Sequence, residues 1–477
     1  MTDTVFEHVE ILDAGAEGKA VAKVGELVIF VPFVVPGDVV DIRLVKKKRS
    51  YLEGKAIRFH KYSEKRQDAF CEHFGTCGGC RWQNMKYEQQ LWYKQKQVKD
   101  AIQRIGKIEN ANIHSILPSE QTTYYRNKLE FSFSNHRWLI AGDRTESSRV
   151  DDNAMNALGF HIPLLFDKVL DINHCYLQVN PSNAIRLEAK RGALEHNISF
   201  YDVRLWKGLL RNLLIRTTRT GDVMVIVVFR TYERKEIELM LDHLAERFPG
   251  ITSICYVINE KKNDVINDLP FHPYKGDLFI TEKIMTFNKE KEVEFHIGPA
   301  SFFQTNTSQA FNLYRIAGEY AGFKGNETVY DLYCGIGTIS SFIAGSVKKV
   351  VGIESVPSAV EDARENALRN GITNTSFFAG EAEKLLTPDF FEKQGRPDII
   401  ITDPPRTGMH EKVVRSILNA APRKIIYVSC NPATQARDIA LIKDQYDLIQ
   451  CQPVDMFPHT QHVENIALLE KKAIATS

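Results

Sequence analysis

The feature that most constrains the fold is a series of short apolar runs in the last 190 or so residues, separated by helix-like segments. Two of these runs, residues 398–402 and 424–428, carry consecutive isoleucines. Such continuous runs are typical of strands that are buried on both faces of a parallel sheet. From about residue 291 onward the alternation of strand and helix predicts an open α/β domain.

Two polar motifs follow these runs directly. Asp403-Pro404-Pro405-Arg406 comes after the first, and Ser429-Cys430-Asn431-Pro432 comes after the second. Ligands of open α/β sheets bind at the carboxyl ends of the strands, so the Cys430 thiol and Asp403 are expected over one pocket. Because a cysteine thiolate is a strong nucleophile, this arrangement indicates covalent attack on a bound base or carbonyl.

A glycine turn supplies a third element of the same pocket. Gly335 and Gly337 follow one strand-like run, and the next run ends in Glu354. An acid about 20 residues beyond such a turn can accept hydrogen bonds from ribose hydroxyls. Ser340 stands where the dinucleotide-binding fingerprint needs a third glycine, so the sequence does not indicate a pyrophosphate-binding turn. A plain tight turn would explain the glycines alone, but together with Glu354 and Asp403 they favour an S-adenosylmethionine (SAM) site.

Length and composition fit an enzyme of several domains. With 477 residues, 43% hydrophobic and 25% charged, the chain is expected to form about three domains, at residues 1–60, 61–290 and 291–477. The net charge of +1 does not by itself indicate a nucleic-acid partner. We see no signal peptide and no membrane segment, and we expect a cytoplasmic monomer in which the eight cysteines are metal-bound, catalytic or buried.

The first 60 residues alternate apolar and polar positions in short runs that glycines interrupt. This pattern predicts a small antiparallel β-barrel. Residues 43–66 hold ten lysines and arginines against two glutamates. That excess indicates a phosphate-binding face, with a solvated barrel edge as the alternative. The densest cationic positions are Lys46, Lys47, Lys48 and Arg49.

Residues 61–290 are predicted to form a mixed α/β domain that begins with a cysteine-rich loop. The three cysteines of this loop fall within ten residues: Cys71, Cys77 and Cys80. Neighbouring glycines permit the tight backbone that a metal centre requires, and Cys175 is the best candidate for a fourth ligand. Structural zinc, with His73 or His174 available as a ligand, is the alternative to an iron–sulfur cluster.

Five motifs in order carry a family resemblance over nearly the whole chain: residues 302–306, 331–335, 403–406, 429–432 and 462–464. With them, the chain resembles the RNA uracil-5-methyltransferases, specifically the cluster-containing branch that acts on 23S ribosomal RNA and begins with a TRAM barrel. The resemblance implies a class I, Rossmann-like SAM-dependent methyltransferase domain. It also implies a [4Fe–4S] cluster held by Cys71, Cys77, Cys80 and Cys175.

The resemblance further implies roles for individual residues. Cys430 would be the nucleophile and Glu464 the base. SAM contacts would come from Gln304, Tyr333, Glu354 and Asp403, and further contacts from Thr338 and Glu381. Glu381 departs from the family, in which a smaller polar residue is commoner at this position.

This chemistry needs a nucleophile because carbon 5 of uracil reacts poorly with a sulfonium methyl group. Thiolate attack on carbon 6 gives carbon 5 carbanion character, and a base then removes the carbon 5 proton. His459 and His462 are rivals of Glu464, since histidine titrates near neutrality. The pocket is expected to favour the thiolate. The target base must leave its stack, and Phe302 and Arg126 are predicted to contact the RNA.

Two alternative functions stay open at this point. A TRAM-type RNA-binding protein with a cluster and an inactive methyltransferase domain would not need the combination of Cys430, Glu464 and Asp403. A tRNA uracil-5-methyltransferase usually lacks the barrel and the cysteine loop, both of which the sequence predicts here. The residues do not name the target uridine.

Overall fold

The computed structural model describes residues 4–140 and 152–473. The predicted N-terminal barrel is confirmed: five strands close in the order β1-β2-β3-β5-β4 around an aliphatic core. The strands are β1 (Val5–Ala14), β2 (Ala20–Val24), β3 (Leu27–Val31), β4 (Val39–Lys47) and β5 (Leu52–Lys61). Ile29 and Val31 are fully buried in this core and alternate with the half-buried Val28 and Phe30, a period of two that is typical of a strand and not of a helix.

A long helix, α1 (Tyr87–Arg104), follows the cysteine loop and leads into a mixed sheet with strand order β12-β11-β10-β9-β6-β7-β8. Two helices cover one face of this sheet, where their apolar residues pack on Phe131, Leu213 and Val227. The elements are β6 (Lys128–Ser134), β7 (Ala157–Ile162), β8 (Leu165–Asp171), α2 (Ser182–Glu195), β9 (Leu210–Thr217), β10 (Val223–Phe229), α3 (Arg234–Arg247), β11 (Ser253–Ile258) and β12 (His272–Lys275).

A hairpin, β13 (Ile280–Met285) and β14 (Glu292–Ile297), precedes the C-terminal α/β unit. The unit contains α4 (Thr307–Ala321), β15 (Thr328–Leu332), α5 (Thr338–Ile343), β16 (Lys349–Glu354), α6 (Pro357–Arg369), β17 (Thr375–Ala379), α7 (Ala382–Leu385), α8 (Pro388–Gln394), β18 (Ile399–Thr402), α9 (Glu411–Ala420), β19 (Lys424–Ser429), α10 (Pro432–Ile442), β20 (Tyr446–Val454) and β21 (Glu464–Lys471). The two isoleucine-rich runs are therefore strands β18 and β19, as predicted.

The C-terminal sheet has the order β17-β16-β15-β18-β19-β21-β20. Strands β17 to β19 are parallel, and β21 inserts antiparallel between β19 and β20. One hydrophobic core joins this unit to the central sheet, because Ile226, Val293 and Ile426 belong to the same buried cluster. The central sheet is thus packed firmly against the unit that carries the motifs. Within the described ranges, no helix has the length and apolarity needed to cross a membrane.

Candidate active site

The two polar motifs meet at the carboxyl ends of β18 and β19, as the strand rule predicts. The Asn431 side-chain amide donates a hydrogen bond to the Arg406 carbonyl (3.0 Å), and the Thr434 hydroxyl donates to the same oxygen (3.3 Å). The Asn431 side-chain oxygen also accepts from the Ala433 amide (3.1 Å), which caps α10. Cys430, between β19 and this cap, is therefore fixed beside the Asp-Pro-Pro-Arg loop.

The Cys430 thiol lies in an environment that opposes its ionisation. Burial first, and then the nearby Glu464 and Asp403, raise the pKa of Cys430 to about 11, although Arg406 opposes the rise. The expectation that the pocket favours the thiolate is thus wrong for the protein alone. The physical reason is that desolvation and two carboxyl groups outweigh one exposed guanidinium.

Glu464 is the first residue of β21 and is only 3% exposed. Burial raises the pKa of its carboxyl well above the usual range, Asp403 adds to this, and Arg406 opposes it. Burial also lowers the pKa of both rival histidines, His459 and His462, to about 4. Glu464 contributes to the raised pKa of Cys430, whereas neither histidine does.

Asp403 and Gln304 form the next part of the pocket. The Gln304 side-chain amide donates to Asp403 Oδ2 at 3.5 Å. Burial raises the pKa of Asp403 to about 7, and the neighbouring Asp331 adds to the rise. Asn127 anchors the Gln304 loop, because its side-chain amide donates to the Gln304 carbonyl (2.9 Å) and to Thr307 Oγ1 (3.0 Å).

The glycine turn is built as the sequence predicts. Tyr333, Gly335 and Gly337 have φ angles of 63°, 53° and 75°, in the left-handed region that suits glycine. A Cβ atom at Gly337 would lie 3.0 Å from the Phe377 ring, so glycine is also needed there for close packing. The Gly335 amide donates to Glu354 Oε2 at 3.1 Å, which orients this carboxylate toward the turn. Thr338 is buried at the start of α5.

One buried acid of this site, Asp331, begins a motif found in the sequence, but the sequence reasoning gave it no role. Asp331 is the fourth of the five residues of β15, and an acid inside a strand that is otherwise buried is the signal that could have revealed its role. The Ser340 hydroxyl donates to Asp331 Oδ2 at 2.6 Å, and Oδ1 has no hydrogen-bond partner in the part of the chain that the structure describes. Burial raises the pKa of Asp331 to about 7.

The residues around the turn fit SAM, whose reacting end carries a sulfonium and an ammonium group. Asp331, Glu354 and Asp403 supply carboxyl groups, and a Cβ atom at Gly335 would meet nothing within 4 Å, so there is open space above the turn. Glu381 is different: its carboxylate forms an exposed ion pair with Lys384. The backbone beside it nevertheless lies at the pocket edge of the sheet, because the Gly380 amide donates to the Glu354 carbonyl at 2.8 Å.

The four predicted cysteine ligands lie together. Burial raises the pKa of Cys80 to about 12, and Cys77, Cys175 and Cys71 each add to the rise. The two candidate histidines have other partners. His73 Nε2 accepts from the Asn173 amide (3.0 Å), and His174 Nε2 lies 3.0 Å from the Tyr124 hydroxyl.

A separate group of possible metal ligands occurs on the barrel. Side-chain atoms of His8, Asp41 and His60 lie within 4.8 Å of one another, the one group of three or more such ligands at this spacing among the described residues. Asp41 Oδ1 already accepts from the His8 amide (2.9 Å) and lies 2.6 Å from His60 Nε2. These contacts tie the bulge in β1 to β4 and β5, which accounts for the group without a metal.

The predicted RNA-contacting residues are accessible to different degrees. Lys46, Lys47, Lys48 and Arg49 are all exposed, at the tip of the β4–β5 hairpin. Phe302 is 69% exposed, whereas its neighbour Phe303 is buried. The Arg126 guanidinium lies 5.6 Å from the Phe457 ring, which belongs to the loop that leads to Glu464.

The fold and the site define a SAM-dependent methyltransferase. The features that define it are the parallel sheet, the glycine turn followed by Glu354, and the carboxyl groups at the strand ends. Residues 277–472 match the tRNA (Uracil-5-)-methyltransferase family, and residues 7–57 match the TRAM domain. The chain belongs to the family of RNA uracil-5-methyltransferases.

Individual relatives match almost the whole chain. An uncharacterized RNA methyltransferase of Bacteroides thetaiotaomicron is 53% identical over 95% of this chain and 99% of its own length. One from Chlorobaculum tepidum is 37% identical over 98% and 95%. Among solved structures, the Pyrococcus abyssi tRNA (uracil-54, C5)-methyltransferase in complex with S-adenosyl-L-homocysteine is 26% identical, with a TM-score of 0.74, over 97% of this chain and 100% of that one.

Proposed function

We propose that this enzyme methylates carbon 5 of a uridine in RNA through a covalent adduct with Cys430. The observation that carries the proposal is the coupling of Cys430, Glu464 and Asp403 in one buried pocket beside the glycine turn. A nucleophile and a base so close to a methyl-donor site match the two tasks that uracil methylation sets. When bound, SAM supplies the methyl group as a sulfonium.

The positions of the residues support the following proposed roles. The Cys430 sulfur bonds to carbon 6 of uracil, and the electron pair of the 5,6 double bond moves to carbon 5 and the neighbouring carbonyl. Arg406, which lowers the pKa of Cys430, stabilises the thiolate. After methylation, Glu464 takes the carbon 5 proton, the carbon–sulfur bond breaks, and the double bond returns. Its raised pKa makes the Glu464 carboxylate a stronger base than an exposed glutamate.

The cofactor contacts proposed for Gln304, Tyr333, Thr338, Glu354 and Asp403 agree with their places around the turn. Glu381 has the weakest support of the set, because its carboxylate is exposed and paired. We infer that Glu354 accepts from the ribose hydroxyls, since its carboxylate is already held by the Gly335 and Val356 amides at 3.1 and 2.9 Å.

We propose 23S ribosomal RNA as the substrate, with transfer RNA as the second candidate. The tRNA candidate gains support from the P. abyssi enzyme, which is a tRNA methyltransferase by name and aligns with 97% of this chain. A tRNA enzyme can therefore share the fold of nearly this whole chain. For this reason the N-terminal barrel separates rRNA enzymes from tRNA enzymes less well than the sequence reasoning assumed. We further propose that the protein acts as a monomer in the cytoplasm. The exposed cations at 46–49, Phe302 and Arg126 would contact the RNA.

We propose a [4Fe–4S] cluster on Cys71, Cys77, Cys80 and Cys175. A tetrahedral zinc site would bring its sulfur ligands to about 3.8 Å from one another, given Zn–S bonds of about 2.3 Å. No three of these thiols form a group within 4.8 Å. Wider spacing suits a cluster in which each thiolate binds a different iron. The hydrogen-bonded histidines also speak against a zinc site with three cysteines and one histidine.

The mechanism is tested by two variants that fail differently. Cys430→Ala should neither methylate RNA nor form an adduct, because carbon 5 is never activated. Glu464→Gln should accumulate a denaturant-stable protein–RNA adduct that carries labelled methyl. The readout is a shifted band on a denaturing gel. An adduct with Cys430→Ala, or normal turnover by Glu464→Gln, contradicts the assigned roles.

The substrate is identified by mapping 5-methyluridine in ribosomal and transfer RNA from cells that lack the protein. Loss of a 23S site supports the first candidate, and loss of a tRNA site supports the second. A full set of 5-methyluridines in both RNAs would contradict the proposed reaction.

A further inference from the structure

The loop between β20 and β21 leads to Glu464 in the pocket, and residues 81–94 hold this loop. Residues 455–463 form this loop, which we call the base loop, and Glu464 begins the strand that follows. The gripping residues come from the stretch just after the cysteine loop and from α1. They are Arg81, Trp82, Tyr87, Gln90 and Lys94, and we call them the clamp.

The first contact is a fully buried ion pair. Lys94 Nζ donates to Asp455 Oδ1 at 2.6 Å, and neither side chain is exposed to solvent. The same ammonium donates to the Phe457 carbonyl (2.9 Å), and the Tyr87 hydroxyl donates to Asp455 Oδ2 (2.8 Å). A buried ion pair stabilises a fold no better than well-packed apolar residues do, but separating its partners leaves an unpaired charge in the interior, which is strongly unfavourable. This pair therefore specifies where the base loop starts.

The second contact holds the middle of the base loop. The His459 amide donates to Gln90 Oε1 (2.8 Å), and the His459 carbonyl accepts from the Arg81 and Trp82 amides (2.9 and 3.0 Å). His459 has φ of 65°, in the left-handed region that non-glycine residues avoid. Such a conformation persists only where surrounding contacts impose it. Gln90, Arg81 and Trp82 are those contacts.

We propose that the clamp positions the catalytic base, so that α1 and the stretch just after the cysteine loop set the rate of proton removal by Glu464. This rests on the proposed role of Glu464 in the covalent mechanism. Arg81 and Trp82 follow Cys80 directly in the chain, and their amides donate to the His459 carbonyl. These two hydrogen bonds therefore connect the cysteine site with the base loop. The clamp residues do not touch the reacting atoms; they are positioning residues.

The test uses Gln90→Ala, Tyr87→Phe and Lys94→Met, with Lys96→Met as the matched control. Lys96 lies on the same helix but pairs with Asp13 and Asp100 near the surface. The substrate is total ribosomal and transfer RNA from cells that lack the protein, with labelled SAM. If the clamp serves the base, turnover should fall at least about ten-fold in the clamp variants while the methyl-bearing adduct accumulates, as in Glu464→Gln. Lys96→Met should behave as wild type.

Hydrogen exchange supplies a readout that does not depend on the chemistry. Amides of residues 455–465 should exchange at least about ten-fold faster in Gln90→Ala and Tyr87→Phe, while those of β19 stay unchanged. Unchanged exchange and turnover in both mild variants would overturn the proposal, as would a parallel loss of adduct and turnover. A Glu464→Gln enzyme that traps no adduct would instead refute the mechanism itself, and the exchange result would still decide whether the clamp holds the loop.

Discussion

The raised pKa of Cys430 makes a quantitative prediction about its reactivity in the protein without RNA. Relative to an ordinary cysteine with a pKa of 9.0, a value of about 11 lowers the thiolate fraction at pH 8 by about 100-fold, ten-fold per unit. Burial is the largest cause and Glu464 the second. Glu464→Gln removes a carboxylate and keeps the shape, so it should speed alkylation of Cys430 by less than about 100-fold.

The assay is alkylation by iodoacetamide, a neutral reagent, followed at the Cys430 peptide by mass spectrometry between pH 7 and 10.5. Free glutathione serves as the solvent-exposed reference thiol. Glu470→Gln is the matched control, because Glu470 lies on the same strand, β21, but its carboxylate is partly exposed and pairs with Lys424. The wild-type rate should rise through this range without a plateau, and Glu470→Gln should follow the same curve.

Two results would refute the reasoning. A wild-type rate at pH 8 equal to that of glutathione would mean that burial and the acids do not suppress the thiolate. A Glu464→Gln rate equal to or below the wild-type rate would mean that Glu464 and Cys430 are not coupled. Either outcome would remove the electrostatic basis for assigning the two residues to one site.

Three further predictions concern stability, the cysteine site and RNA affinity. The pKa of Asp331 is raised from 3.8 to about 7 in the folded protein, so the free energy of unfolding falls as pH rises through 7. In urea unfolding between pH 5.5 and 8, the wild type should lose about 2 kcal/mol more of this free energy than Asp331→Asn does. An equal pH dependence in the variant and the wild type would contradict the burial argument. Anaerobically purified protein should contain iron and sulfide, and Cys77→Ala, unlike Cys255→Ala, should lose both and desolubilise the central domain; stoichiometric zinc without iron by elemental analysis would exclude the cluster. Replacing Lys46, Lys47, Lys48 and Arg49 by Ala should weaken RNA binding and reduce the salt slope by up to about 4, with turnover at saturating RNA unchanged, whereas an unaltered slope in filter binding would show that these cations face solvent only.

The sequence by itself determined the architecture and most of the candidate site. Short runs of consecutive isoleucines identified β18 and β19, because β-branched residues without polar positions are typical of strands that are buried on both faces. The rule that ligands bind at carboxyl strand ends then brought Cys430, Asp403 and Glu354 to one edge. The short alternating runs with glycines predicted the barrel. All of these signals are local, since periodicity and turn chemistry report on neighbouring residues. The domain limits at 60 and 290 stay predictions.

The tertiary structure decided what depends on distance across the chain. The sequence reasoning expected a pocket that favours the Cys430 thiolate, whereas burial and Glu464 raise the pKa of this thiol. Glu464 lies close to Cys430 because its strand, β21, pairs with β19. Asp331 belongs to a motif found in the sequence, but its burial and its raised pKa depend on what packs around β15. Lys94 and Asp455 stand 361 positions apart, and no pattern in either neighbourhood marks them as partners. Electrostatic energies follow spatial separation and desolvation, and a sequence contains neither until the chain has folded.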